Sequence, residues 1–69
     1  MNLRNRLKEV RLEKQFTQAS LADAVGVTRQ TIIAIEKEKF VPSVKLALEL
    51  AQALSVSLED LFRLDRPRR

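Results

Sequence analysis

An all-α fold of five short helices is what this 69-residue sequence predicts. Three observations carry that expectation. Apolar residues recur three and four positions apart along most of the chain. Ser or Thr stands at four separate helix starts, where a side-chain oxygen can accept from the free N–H groups of the first turn. The only glycine, Gly26, falls just past one apolar stripe, where a helix commonly closes in a left-handed residue.

Taken in order, Leu3, Leu7 and Val10 form the apolar stripe of a first helix, which closes at Phe16. Thr17 caps a second helix with Leu21, Ala22 and Val25 inward, and Gly26 and Val27 make the turn that follows. Thr28 caps a third helix, TRQTIIAIEK, running to about Lys37. Pro42 and Ser43 start a fourth, VKLALELAQAL, whose core stripe is Val44, Ala47, Leu50, Ala51 and Leu54, with Leu46 and Leu48 left over. Ser57 opens a last short helix, SLEDLF, in which Asp60 completes a variant capping box. Pro67 makes residues 65–69 an expected frayed tail on a single domain spanning 1–69.

Composition narrows the function. A chain of this size buries only about 60% of its unfolded surface, so the core must be compact. The hydrophobic share of 45% and charged share of 32% fit an ordinary globule. No apolar run approaches the roughly 18–20 residues of a membrane span, and MNLRNRLKEV has no secretory h-region, so a cytoplasmic location is expected. With no cysteine and no histidine, disulfides, thiolate sites and the commonest metal ligand and general base are absent. Neither enzyme activity nor a cofactor nor a small-molecule ligand is expected. The net charge of +4 is unevenly spread: residues 1–16 carry +3, residues 63–69 carry +3, and residues 17–62 carry −2. Basic ends are weak evidence for nucleic acid on their own.

The pattern from Gln18 to Lys37 is more informative. Two helices joined through a glycine turn, the second capped by Thr28, form a helix-turn-helix, whose second helix enters a DNA major groove. At 100° per residue, Ile32, Ile35 and Glu36 share the inward side of that helix, while Gln30, Ile33, Ala34 and Lys37 lie opposite, with Thr28 and Arg29 at its N-terminal end. Arg can bond guanine bidentately, Gln can pair with adenine, and Ala or Ile can touch a thymine methyl. Ala34 is also small enough to let the backbone approach. Viewed singly, polar residues on an exposed helix face are more often merely solvated. The conjunction of two capped helices, one glycine and a polar N-terminal turn favours DNA. Gln18 has two readings: an ordinary first-turn residue, or a phosphate contact that braces Gln30.

The span TQASLADAVGVTRQTIIAIEKEKFVPSVKLALELAQALSVSLEDLF resembles the Cro/CI-type (XRE-like) helix-turn-helix regulators, in the style of the compact members related to the cytolysin repressor. The resemblance runs from about Leu7 to Phe62. It implies a lambda-repressor-like DNA-binding domain, with room for a short terminal β pairing, that acts on double-stranded DNA as a repressor. It implies a DNA surface made of Gln18, Thr28, Arg29, Gln30, Thr31 and Ala34, with Lys37 and Lys39 in a phosphate-contacting loop, Lys37–Phe40. Two positions depart from the family pattern: Glu38 stands where many members have Gly or Asn, and Ile33 replaces a commonly polar residue. The resemblance also implies a partly buried ion pair between Arg11 and Glu36. It implies a homodimer, for which the surplus apolar residues Leu61, Phe62 and Leu64, with Met1 and Leu3, are the expected interface. A protein-interaction module such as an antitoxin, built on the same helices, is the rival class; tight protein binding with weak, salt-fragile DNA affinity would mark it.

Overall fold

A computed structural model describes residues 1–65 of the chain. Five helices appear in the expected order: α1 Leu7–Glu13, α2 Gln18–Val25, α3 Arg29–Glu36, α4 Val44–Leu54 and α5 Leu58–Leu61. Two strands flank them. β1, Asn2–Asn5, runs antiparallel to β2, Phe62–Asp65, with Leu3 opposite Leu64 and Arg4 opposite Arg63. This is the lambda-repressor-like helix-turn-helix arrangement, with a short ribbon joining its two ends.

The helix starts follow from their caps. The hydroxyls of Thr17, Thr28, Ser43 and Ser57 each accept a hydrogen bond from the N–H three residues on. At α5 the Asp60 carboxylate in turn accepts from the Ser57 N–H, at 3.1 Å, completing the expected box. A second box, not anticipated, pairs Thr17 with Ser20, whose Oγ accepts from the Thr17 N–H at 2.9 Å.

The helix ends share one device. After each of α1 to α4 stands a residue with positive φ: Gln15 at 64°, Gly26 at 74°, Glu38 at 61° and Ser55 at 57°. The N–H one residue later then reaches back five residues, from Phe16 to Arg11 O, Val27 to Ala22 O, Lys39 to Ala34 O and Val56 to Ala51 O, at 2.9–3.0 Å. That is the Schellman closure, which satisfies carbonyls the helix leaves free. Phe16, Val27 and Val56 also pack against the core, as the motif favours. Only Gly26 adopts the left-handed conformation without a Cβ penalty. A Cβ at Gly26 would meet nothing within 4 Å, so φ alone constrains this position.

The core draws on every helix: Leu7 and Val10, Leu21 and Ala22, Ile32 and Ile35, Ala47, Leu50, Ala51 and Leu54, then Leu61, with Phe62 from β2. Four sequence expectations are corrected. Leu3 lies in β1, not in the first helix, because the chain turns at Asn5–Arg6, where Asn5 Oδ1 accepts from the Leu7 N–H at 3.1 Å. Val44 is 73% exposed although it sits on the predicted stripe, since α4 begins beyond the edge of the core; Leu46 packs against the core instead. Leu61 and Phe62 are buried within the single chain, so they are not surplus. Asp65 belongs to the ladder opposite Asn2, and the rest of the expected frayed tail, 66–69, lies outside the described residues. No helix among the described residues is long and apolar enough to cross a membrane.

Candidate nucleic-acid interface

The geometry of the interface begins in the core. Arg11 is buried, and each of its three guanidinium nitrogens donates a hydrogen bond beneath α3. Its Nε donates to Glu36 Oε2 at 2.7 Å, its Nη2 to Glu36 Oε1 at 3.4 Å, and its Nη1 to the Phe16 carbonyl at 2.9 Å. Two buried opposite charges with several shared hydrogen bonds hold one relative orientation of α1 and α3. The ion pair implied by the family resemblance is therefore present.

From Glu36 the network climbs to the surface. Gln18 Nε2 donates to Glu36 Oε1 at 3.2 Å, and Arg29 Nε donates to Gln18 Oε1 at 3.4 Å. The half-buried Gln18 amide thus links the buried pair to an exposed arginine at the start of α3. Gln18 braces Arg29, not Gln30 as the sequence suggested. Gln30 lies 100° further round the helix and is exposed. No buried side-chain N or O among the described residues lacks a partner.

The remaining candidates fall as follows. Thr28 caps α3, with its Oγ1 3.2 Å from Thr31 Oγ1. Thr28, Arg29 and Gln30 are exposed, whereas Thr31, Ile33 and Ala34 are half-buried on the next turn. Lys37 closes the helix and Lys39 follows the left-handed Glu38, both exposed. Thr28, Arg29, Gln30, Thr31, Ala34, Lys37 and Lys39 therefore all belong to α3, its N-cap or its C-terminal exit, and Gln18 joins them from the first turn of α2.

Two residues of β1 that sequence reasoning left out support the far end of α3. Asn5 Nδ2 donates to the Ile35 carbonyl at 2.9 Å. The Asn5 N–H donates to Glu38 Oε2 at 3.4 Å, and Arg4 Nη1 pairs with Glu38 Oε1 at 2.9 Å. Arg4 Nη2 also reaches Asp65 at 3.4 Å. An asparagine two residues before an apolar stripe is a visible cap signal, but its reach across to α3 depends on tertiary structure.

Comparison with known proteins agrees with this geometry. The Helix-turn-helix family model matches residues 7–61. An uncharacterized HTH-type transcriptional regulator, YgzD of Bacillus subtilis, is 46% identical over 63 residues, covering 91% of this chain and 96% of the relative. A second such regulator, from Methanocaldococcus jannaschii, is 50% identical over 60 residues, covering 87% and 91%. Among solved structures, the restriction-modification controller protein C.AhdI of Aeromonas hydrophila superposes with a TM-score of 0.76 at 31% identity, covering 80% of each chain. The chain belongs to the Cro/CI-type (XRE-like) helix-turn-helix family of DNA-binding transcriptional regulators, which are not enzymes.

Proposed function

We propose that this protein is a cytoplasmic repressor that binds an inverted-repeat operator as a homodimer and reads each half-site in the major groove with α3. The observation that carries the reading is the tethered arginine. Arg29 stands exposed at the N-terminal turn of α3, oriented through Gln18 by the buried Arg11–Glu36 pair. A flexible guanidinium held in this way loses less entropy on meeting a base edge. In this reading Arg29 and Gln30 contact bases, and the half-buried Ala34 lets the backbone approach. Thr28, Thr31 and Gln18 meet phosphates near the helix N-terminus, where free N–H groups favour anions, and Lys37 and Lys39 meet them at the exit.

The dimer face differs from the one the sequence suggested, because Leu61 and Phe62 belong to the monomer core. An apolar groove of about 400 Å³ opens between the start of α4 and β2, lined by Leu3, Val41, Val44 and Leu64, with Glu59 and Arg63 at its edge. Exposed Leu48 lies one turn beyond Val44. Apolar surface of this kind, rimmed by one acidic and one basic residue, suits a two-fold contact in which each charge meets its opposite on the partner. Selection of bound duplexes from random DNA with the purified protein tests the function. Recovery of an inverted repeat is expected; a pool with no shared sequence would overturn it.

A further inference from the structure

We infer that Arg4 is a positioning residue for DNA binding: it cancels the Glu38 carboxylate that lies between two phosphate-seeking lysines. The inference rests on the proposed function, in which Lys37 and Lys39 contact the DNA backbone.

Glu38 is doubly unfavourable where it stands. It occupies the left-handed position after α3, at φ 61°, where a side chain bearing a Cβ is strained. It also places a negative charge between Lys37 and Lys39, and it is the only acidic residue from 37 to 43. Nothing in the helix closure requires a carboxylate, because the closure is made by backbone groups: Glu38 N–H to Ile35 O at 2.9 Å and Lys39 N–H to Ala34 O at 2.9 Å.

The terminal ribbon accounts for the carboxylate. Arg4 Nη1 lies 2.9 Å from Glu38 Oε1, and the Asn5 N–H approaches Glu38 Oε2 at 3.4 Å, so both carboxylate oxygens are taken by β1. Asn5 Nδ2 fixes the Ile35 carbonyl at 2.9 Å on the same turn. Asp65, at the end of β2, accepts from the other terminal nitrogen of Arg4 at 3.4 Å and keeps its guanidinium beside the ribbon. Arg4, Glu38 and Asp65 are each at least one-third exposed, so the pairs add little to folding on their own. Their consequence lies in the local field. With Arg4 in place, Lys37, Lys39, Arg4, Glu38 and Asp65 sum to +1; without it they sum to zero, and Glu38 faces the phosphates uncompensated.

The test is a double-mutant cycle on a duplex selected by the wild-type protein. Binding is read by fluorescence anisotropy well below the melting temperature of every variant, with folding checked by circular dichroism. Arg4→Ala is expected to weaken binding by about three- to tenfold, the scale of one screened charge near the backbone. Glu38→Gln should bind as tightly as wild type or more tightly. Adding Arg4→Ala to Glu38→Gln should then change affinity by less than about twofold, because the charge it cancelled is gone. Glu38→Asn, which tolerates the left-handed turn, repeats the cycle if the Gln variant is poorly folded. An Arg4→Ala loss of equal size in both backgrounds would make Arg4 a phosphate contact in its own right and overturn the inference. So would an unchanged affinity, or a Glu38→Gln variant that binds more weakly than wild type. These results leave DNA reading by α3 standing. A wild-type protein that selects no duplex removes both proposals.

Discussion

Arg11 and Glu36 meet at 2.7 Å with side chains only 7% and 6% exposed, although they stand 25 positions apart in the chain. Their charges compensate each other, the Phe16 carbonyl accepts a further bond from Arg11, and Gln18 Nε2 donates one to Glu36. Removing one partner leaves the other buried and unpaired, a penalty of about 3–5 kcal/mol. Arg11→Ala and Glu36→Ala should therefore both lower Tm sharply in circular-dichroism melts. A Tm unchanged by either substitution would contradict the burial of the pair.

The four left-handed closures make a graded prediction. Gly26→Ala adds a Cβ that touches nothing but must accept φ 74°, so the expected cost is about 1–2 kcal/mol from backbone strain alone. Gln15→Gly and Ser55→Gly relieve the same strain in the opposite direction and should stabilise, by no more than about 1 kcal/mol once the entropy of glycine is counted. Urea melts of the three variants give the signs directly. A stabilising Gly26→Ala would show that the turn is not held left-handed.

Acid sensitivity should have a component from the last helix. The Ser57 N–H, and after it the Ser57 hydroxyl, hold the Asp60 carboxyl below the usual carboxylate range. A depressed folded-state pKa means that this stabilisation is fully present above the unfolded value near 3.8 and is lost as pH falls through the lower folded value. The Tm of wild type should fall across the acid range by more than that of Asp60→Asn, which can cap without titrating. Parallel Tm–pH curves for the two proteins would exclude the contribution.

Much of this architecture was legible in the sequence because it is local. Thr17, Thr28, Ser43 and Ser57 are recognisable as caps from the chain beside them, and Gly26 as a helix end. The inward face of α3 followed from helical period, with Ile32 and Ile35 both fully buried. What escaped depends on contacts distant in sequence. Leu3 shares the spacing of the first helical stripe, and only its pairing with Leu64, 61 residues away, makes it a strand. Val44 has the right helical phase yet lies past the edge of the core. Among the interface residues, the partner of Gln18 was misjudged because helix phase says where a side chain points, not which neighbour comes within reach. Asn5 was missed because its link to Ile35 O is visible only once the end of β1 is packed against α3.

The proposed dimer face can be separated from the core beside it. Val44 and Leu64 are exposed, so Val44→Glu and Leu64→Glu should leave the monomer fold intact, whereas Phe62→Glu should unfold it. In sedimentation equilibrium at micromolar concentration, wild type is expected as a dimer and the two surface variants as monomers. A dimer that survives both substitutions would place the interface elsewhere.

Readout by α3 makes the last prediction, and the Gln18 bridge gives it an internal control. Arg29→Ala and Gln30→Ala each remove a proposed base contact, so each should cost about 1–3 kcal/mol on the selected operator and relax preference at one base pair. Gln18→Ala leaves both of those side chains in place but removes the acceptor for Arg29 Nε and one of the donors to Glu36. If orientation of Arg29 matters, Gln18→Ala should lose discrimination at the same base pair as Arg29→Ala, and adding it to Arg29→Ala should remove little further discrimination there. Any phosphate contact made by Gln18 itself would instead appear as an equal loss on all sequences with a salt slope lower by about one. Competition binding against operators changed one base pair at a time separates the two. Discrimination that survives Gln18→Ala unaltered would mean that Arg29 finds its base without the bridge.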